Sequence, residues 1–486
     1  MAGIGFELRR LGRQESLSSL VAAFGHAAVV AAGPWIITIL SLAAITLSME
    51  PVIGRDVLAT FRAIVIYAFA LSLVLAAPVT IVATRLVADA LWLRRPEAVR
   101  PLLFGAYVLA IASVAPGVLG LVVYFELAAG IALALASMSL VVALIWVALS
   151  FCGAVRDYLG VTLSFLIGLV VGVVSTIGAA LAGGDAAAMA LGFTCGLGVT
   201  FIGLTSRVLV TFPAPMPSPE AGILAILGGL GRYRDLALGA LLGTAGVWVD
   251  KWVFWLSDAG QRVSGGLLHA PIYDSAMFIA SLVIVPSLAA FVVRLETGFF
   301  ERYQRYYGTI RTHGTLEQIE AARVRLAGYT LDNFVLITVT QVGIAAVLIL
   351  MGPLIIDALS LQFSQIAILR FGALAAVFHF ILIVASSMLV FFDQRRLFLL
   401  LSAGFLGLNA ALTLVTVQLG EDYYGVGYFL ATLVTSFLAY HLAVRTFEDL
   451  NYLTFIGNNP SIRDAALDRD RRRRRGELAV NTLGRG

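Results

Sequence analysis

Polar positions are scarce along this chain and come in clusters, and between the clusters the side chains stay apolar for twenty or more residues at a time. A bilayer-spanning helix needs about 20 mainly apolar residues. Twelve stretches reach that length: 21–48, 61–84, 101–125, 127–151, 158–182, 186–210, 235–256, 275–299, 331–356, 365–392, 396–418 and 423–445. The weakest boundary falls at Glu126, between the third and fourth. The bilayer core holds no water to satisfy backbone N–H and C=O groups, so unbroken apolar runs fold there as helices. A barrel would instead show apolar and polar residues in alternation. The pattern predicts an all-α polytopic membrane protein of about 12 transmembrane helices.

The charged clusters between these stretches are unevenly shared. If the first residue is cytoplasmic, then Arg9, Arg10, Arg13, Arg85, Arg94, Arg95, Arg100, Arg156, Arg207, Arg232 and Arg234 fall inside. So do the arginines of 294–325, Arg395, Arg396 and the tail. Only Arg55, Arg62, Lys251, Arg262 and Arg370 fall outside. Basic residues gather on the cytoplasmic side, so both termini are expected there. Ile4, Leu8, Leu11 and Leu20 lie near one helical face, which predicts an amphipathic segment over 1–20 on the inner leaflet. The apolar run after it is about twice the length of a signal peptide's core, and Glu7 and Glu15 precede it, so no cleavage is expected.

A proline-rich stretch, Phe212-Pro-Ala-Pro-Met-Pro-Ser-Pro-Glu220, stands midway. It predicts a cytoplasmic linker over 213–234 between two six-helix lobes, 21–212 and 235–445. The second lobe includes a cytoplasmic segment at 300–330, and 446–486 forms an arginine-rich cytoplasmic tail. A faint repeat supports two lobes. Pro78 is followed by Thr84-Arg85-Leu86 in the second stretch, and Pro286 by Val293-Arg294-Leu295 in the eighth. Interrupted helices at matching places in two halves point to a transporter built from repeats.

Composition narrows the function classes. Hydrophobic residues make up 60% and charged residues 13%, about half the charge of a soluble chain, so a soluble enzyme is excluded. Of the 33 basic residues 32 are Arg, and Lys251 is the lone lysine. It follows Asp250, which excludes a phosphate-cradling Gly-Lys-[Ser/Thr] loop. There is no HExxH, the five histidines share no ligand spacing, and Cys152 and Cys195 are too few for a zinc site. Both cysteines read as buried packing thiols. No catalytic constellation, metal or cofactor is expected, and nucleic acid is a poor partner for the tail Arg469-Asp-Arg-Arg-Arg-Arg-Arg475, which reads as an anchor on anionic lipid.

Charge inside a membrane helix is a functional hypothesis by default. Gly246-Val-Trp-Val-Asp-Lys-Trp-Val-Phe-Trp255 is the sharpest case. Asp250 and Lys251 point about 100° apart on a helix and are not expected to face each other. One reading places them in a cavity, with Trp248, Trp252 and Trp255 as flat faces for sugar rings. The other is an aromatic belt with Lys251 snorkelling outward. Arg370, with Asp357 as an available partner, reads as an ion pair at the outer rim, and His379 as a hydrogen-bonded helix contact or a proton carrier. His26 and Trp35 flank the Gly33-Pro34 break in the first stretch. The segment from Glu301 to Leu326 reads either as a surface helix on lipid headgroups or as a docking site, through Arg302 and Arg305, for a cytoplasmic partner.

Several of these motifs together resemble the PelG family of inner-membrane exopolysaccharide transporters. They are Met1-Ala-Gly-Ile-Gly-Phe-Glu-Leu-Arg-Arg10, Gly33-Pro-Trp35, Trp248-Val-Asp-Lys-Trp252, Phe300-Glu-Arg-Tyr-Gln-Arg-Tyr306 and Phe391-Phe-Asp-Gln-Arg-Arg396. The extension after about Asn459 lies outside the resemblance. The resemblance implies a bacterial inner-membrane protein of the polysaccharide-flippase branch of the multidrug/oligosaccharidyl-lipid/polysaccharide (MOP) exporters. Its two six-helix lobes would rock about a central cavity. It implies an N-acetylgalactosamine-rich amino-sugar polymer as cargo. The implied partners are a cytoplasmic glycosyltransferase and membrane subunits, one of them a cyclic-di-GMP receptor. Two other readings stand beside export: an H⁺- or Na⁺-coupled antiporter of the same fold, and a membrane-embedded glycan polymerase, which would want a larger outer loop than Leu256 to Tyr273.

Overall fold

The computed structural model describes residues 41–155, 157–214, 219–294, 298–359 and 361–457. The 1–20 segment, His26, Trp35 and the tail after 457 lie outside them. Residues 41–49 are helical. They are followed by α1 (Arg55–Trp92), α2 (Val99–Tyr124), α3 (Ala129–Val155), α4 (Tyr158–Leu181), α5 (Ala186–Thr211), α6 (Pro219–Arg232) and α7 (Arg234–Trp255). A two-stranded hairpin, β1 (Gln261–Arg262) and β2 (Leu268–His269), precedes α8 (Pro271–Leu282) and α9 (Ile284–Arg294). Then come α10 (Phe300–Arg311), α11 (Leu316–Ala358), α12 (Gln365–Phe391), α13 (Arg395–Leu419) and α14 (Val426–Glu448). Among the described residues eleven helical segments are long and apolar enough to cross a membrane, α8 and α9 counting as one. They coincide with the second to twelfth stretches. Successive segments alternate in direction, so the arginine-rich loops share a basic face and the short loops share the opposite face.

Local sequence explains where the segments stop. Glu126 takes a left-handed backbone (φ 51°) and separates α2 from α3. Asp157 caps α4 through the Gly160 N–H (3.0 Å), and Asp185 caps α5 through the Ala188 N–H (2.9 Å). Thr315 and Gln318 form a capping box that starts α11 well before its apolar span. At about 1.5 Å per residue its 43 residues outrun a bilayer core of about 30 Å, so its first turns project from the basic face.

The first half packs α1, α3 and α5 around a common core, with α4 against α5 and α2 against α1 and α3. The second half packs α7 on α13, α13 on α14, α14 on α12, and α12 on α8 and α11. Helices in lipid associate through close backbone approach, and glycine permits it. A Cβ on Gly196 of α5 would overlap the backbone of Gly172 on α4, and one on Gly222 of α6 would overlap Pro101 at the foot of α2. The proline-rich connection thus includes a helix docked on the first half. The halves meet where α1 lies along α7.

Two expectations are corrected. The paired prolines do not interrupt both helices. α1 runs unbroken through Pro78, clamped between α3 and α7, whereas the eighth segment divides at Val283. Pro286 has no N–H for the Leu282 carbonyl, and only Ser287 and Ala289 of α9 are buried, so packing does not enforce continuity there. Cys195 is exposed on α5, and only Cys152 is buried. An apolar run next to lipid does not reveal which of its side chains face protein.

Candidate functional site

α7 runs from the basic face outward, and its side chains divide between two directions. Trp248, Lys251, Trp252 and Trp255 follow the i, i+3, i+4, i+7 spacing of a single helix face. At the outer end of that face Trp255 stacks on Tyr67 of α1 in the first half, with ring centroids 4.6 Å apart. The Tyr67 hydroxyl donates to the Leu268 carbonyl (2.9 Å), and Thr60 pairs with Ser264 (2.9 Å), so the hairpin clasps the first half as well. Trp252 is half-buried and Trp248 buried. At Trp255 this face therefore borders the seam between the halves.

Asp250 points the other way and is fully buried. Its Oδ2 accepts from the Tyr273 hydroxyl of α8 (2.7 Å) and from Lys251 Nζ (3.1 Å). The expectation that adjacent residues would not face each other is corrected here. Although the Cα–Cβ bonds diverge, the four-carbon lysine stem curls back. The ammonium also reaches the Val247 carbonyl (3.4 Å) and lies over the rings of Trp248 (5.7 Å) and Tyr428 (5.6 Å). A buried carboxylate needs such partners, because unpaired charge in a low dielectric is costly.

Tyr428 of α14 extends the chain of polar contacts by hydrogen bonding to His379 Nδ1 of α12. The His379 ring lies edge-on to Phe405 of α13. Next to it Asn409 of α13 donates to the Gly246 carbonyl of α7 (2.8 Å) and accepts from Thr413 (3.1 Å). Above, Asp274 at the start of α8 accepts from Trp255 Nε1 (2.8 Å) and from the Ala270 N–H (2.9 Å). Tyr273, Asp250, Lys251, Tyr428 and His379 thus link four helices of the second half at one level. Sequence reasoning named Asp250, Lys251 and His379 but missed Tyr273, Tyr428, Asp274 and Asn409. A buried tyrosine hydroxyl must find a partner, but nothing in the sequence identifies which.

The other expected residues lie apart from this group. Arg370 and Asp357 are both exposed, and no ion pair joins them among the described residues. Arg302 of α10 is committed internally. Its guanidinium stacks on the Tyr329 ring at 3.8 Å and donates to the Gly298 carbonyl at 2.9 Å. Arg305 is exposed. The buried Tyr306 ties α10 to the end of the membrane region through Asn451 (2.8 Å). No group of three or more metal-ligating side chains occurs among the described residues.

Two helical halves, joined by a helix-containing connection and meeting along one helix pair, make this a multi-pass membrane protein of the transporter class. The fold is that of the MOP superfamily. An outward-facing multidrug resistance MATE family transporter of that superfamily is 17% identical, over 88% of this chain and 96% of that chain, with a TM-score of 0.59. An inward-facing one is 14% identical, over 87% and 99%, with a TM-score of 0.55. A MOP superfamily transporter from Pyrococcus furiosus is 17% identical, over 88% and 96%, with a TM-score of 0.58. At such identities the likeness is one of fold. The family model of PelG, described as "Putative exopolysaccharide Exporter (EPS-E)", matches residues 1–455, and the chain belongs to that family. No curated protein matches it.

Proposed function

We propose that this protein carries an exopolysaccharide outward across a bacterial inner membrane during biofilm matrix synthesis and catalyses no reaction itself. The cargo is a Pel-type amino-sugar polymer rich in N-acetylgalactosamine. The observation that carries the reading is the Trp248, Lys251, Trp252 and Trp255 face of α7, which reaches the seam between the halves at Trp255, in a chain of the exopolysaccharide exporter family. Flat aromatic faces suit the apolar faces of neutral acetylated sugars, and Lys251 adds a hydrogen-bond donor. Asp250 and His379 brace that face from behind.

The basic face is cytoplasmic in this reading, and α10 receives the glycosyltransferase there through Arg305, since Arg302 is occupied by Tyr329. Membrane subunits including a cyclic-di-GMP receptor complete the assembly. Deletion tests the reading. Polymer should still be made but stranded inside, with export restored by the intact chain. A deletion strain that makes no polymer would point instead to synthesis. Tags at Gly486 and within 301–326 should be cytoplasmic and one near Ser264 external; labelling of all three from one side of sealed cells would sink the topology.

A further inference from the structure

The two halves also touch at the basic face, through charges. Arg85 and Asp89 lie one turn apart near the end of α1, with Nε and Oδ1 separated by 3.5 Å. From the second half, the turn between α12 and α13 presents Asp393, whose left-handed backbone (φ 59°) brings its carboxylate within 3.8 Å of Arg85 Nη1. The same carboxylate accepts two hydrogen bonds from Arg395 (2.8 and 2.7 Å). Tyr233, between α6 and α7, donates to Asp89 Oδ2 (3.1 Å), and Arg395 lies over its ring at 4.6 Å. Immediately inside this network Val82 of α1 is buried against Tyr233, Leu236 and Ala237, an apolar plug shared by both halves.

We propose that Arg85, Asp89, Tyr233, Asp393 and Arg395 form a latch that holds the seam shut at the basic face and releases when that end opens. Its purpose, the admission of cargo, rests on the transport reading above, whereas its closure does not. The chemistry suits release. The side chains of Arg85 and Asp89 are 37% and 43% exposed, and those of Asp393 and Arg395 32% and 28%. Water can solvate each charge as it parts. Exposed pairs are individually weak and sensitive to salt, so their sum can be overcome. The Tyr67–Trp255 clasp at the other end of the same helix pair is aromatic and apolar. One end can therefore yield to solvent while the other stays packed.

The test uses the full chain in membrane vesicles, with Cys152 and Cys195 replaced by Ala and a single reporter, Val82→Cys, exposed to a water-soluble maleimide at the basic face. Labelling should be slow with the latch intact. It should rise about tenfold in Asp393→Asn or Arg85→Gln, the loss of a small network of exposed pairs. Asn also tolerates the left-handed backbone, so the turn is kept. Salt at about 1 M, which screens beyond about 3 Å, should speed the intact protein and leave Asp393→Asn unchanged. A second reporter, Thr60→Cys at the opposite end, labelled from its own face in vesicles of the other orientation, should stay slow in every variant. Unchanged Val82→Cys labelling in both variants overturns the latch, as does equal acceleration at both reporters, which means general loosening. Unchanged labelling with lost export overturns the latch alone. Faster labelling with normal export upholds the latch and counts against cargo entry at this seam.

Discussion

Removal of Lys251's charge strikes the most heavily partnered group in the second half. In Lys251→Met the Asp250 carboxylate stays fully buried and keeps one hydrogen bond, from Tyr273, while losing its cation at 3.1 Å. At that separation an effective dielectric of about 20 gives an attraction of about 5 kcal/mol. The cost of stripping one partner from a buried pair runs to about 3–5 kcal/mol. The lysine side chain keeps 20% of its exposure, which favours the lower figure. Asp250→Asn should cost less, about 2 kcal/mol, because the ammonium still faces two aromatic rings and a carbonyl. The double variant has no charge to bury, so its loss should fall short of the summed singles by about 2 kcal/mol or more. Unfolding of the purified protein in detergent, with all four members of the cycle, measures this directly. Losses that add within about 0.5 kcal/mol would refute the coupling. Export per unit of inserted protein reads the functional half. Lys251→Arg keeps the charge but exchanges a compact ammonium for a planar fork, and should impair export. Wild-type export from both Lys251→Arg and Asp250→Asn would remove these residues from the cargo path.

Three further perturbations follow from single positions. Gln341 of α11 is fully buried with neither amide atom hydrogen-bonded, so Gln341→Met should stabilise the protein by about 1–3 kcal/mol, and a lower unfolding temperature would contradict the assignment. His269 in the hairpin titrates below the ordinary imidazole value of 6.5, because burial and then the nearby Arg62 disfavour its charged form. Both states are neutral well above 6.5, and the opened hairpin takes up the proton more readily as pH falls below that value. Maleimide labelling of Ser264→Cys, taken relative to a free thiol to correct for the falling thiolate fraction, should therefore rise on acidification, and an equal rise in His269→Gln would place the cause elsewhere. On α10, Arg302→Glu should lower stability by breaking the stack on Tyr329, whereas Arg305→Glu should leave the protein folded and weaken co-purification with the glycosyltransferase; the reverse pattern would exchange their roles.

Much of the fold is legible because a bilayer imposes one length on every crossing. The apolar runs locate the eleven described segments, although α1 and α11 extend well beyond theirs, and Glu126, Asp157 and Asp185 mark breaks and caps. Partnership is not legible in the same way. Lipid and protein interior are equally apolar, so the run that holds Cys195 reads the same whether the thiol faces lipid or a neighbouring helix. The candidate site shows the same division. Asp250 and Lys251 stand out as charges in a hydrophobic helix, but Tyr273 and Tyr428 are ordinary tyrosines in ordinary segments until α8 and α14 pack beside α7. Even the contact between neighbours 250 and 251 depends on the tertiary surroundings, which close off solvent and make the lysine fold back. Sequence alone determined that the chain crosses the membrane many times, where the described crossings lie and which face is basic, because those follow from transfer of side chains and backbone into hydrocarbon. Which crossings touch, where the seam lies, and how Asp393 comes to face Arg85 were decided only in three dimensions. Helix association rests on shape and close backbone approach, and those depend on two distant segments at once.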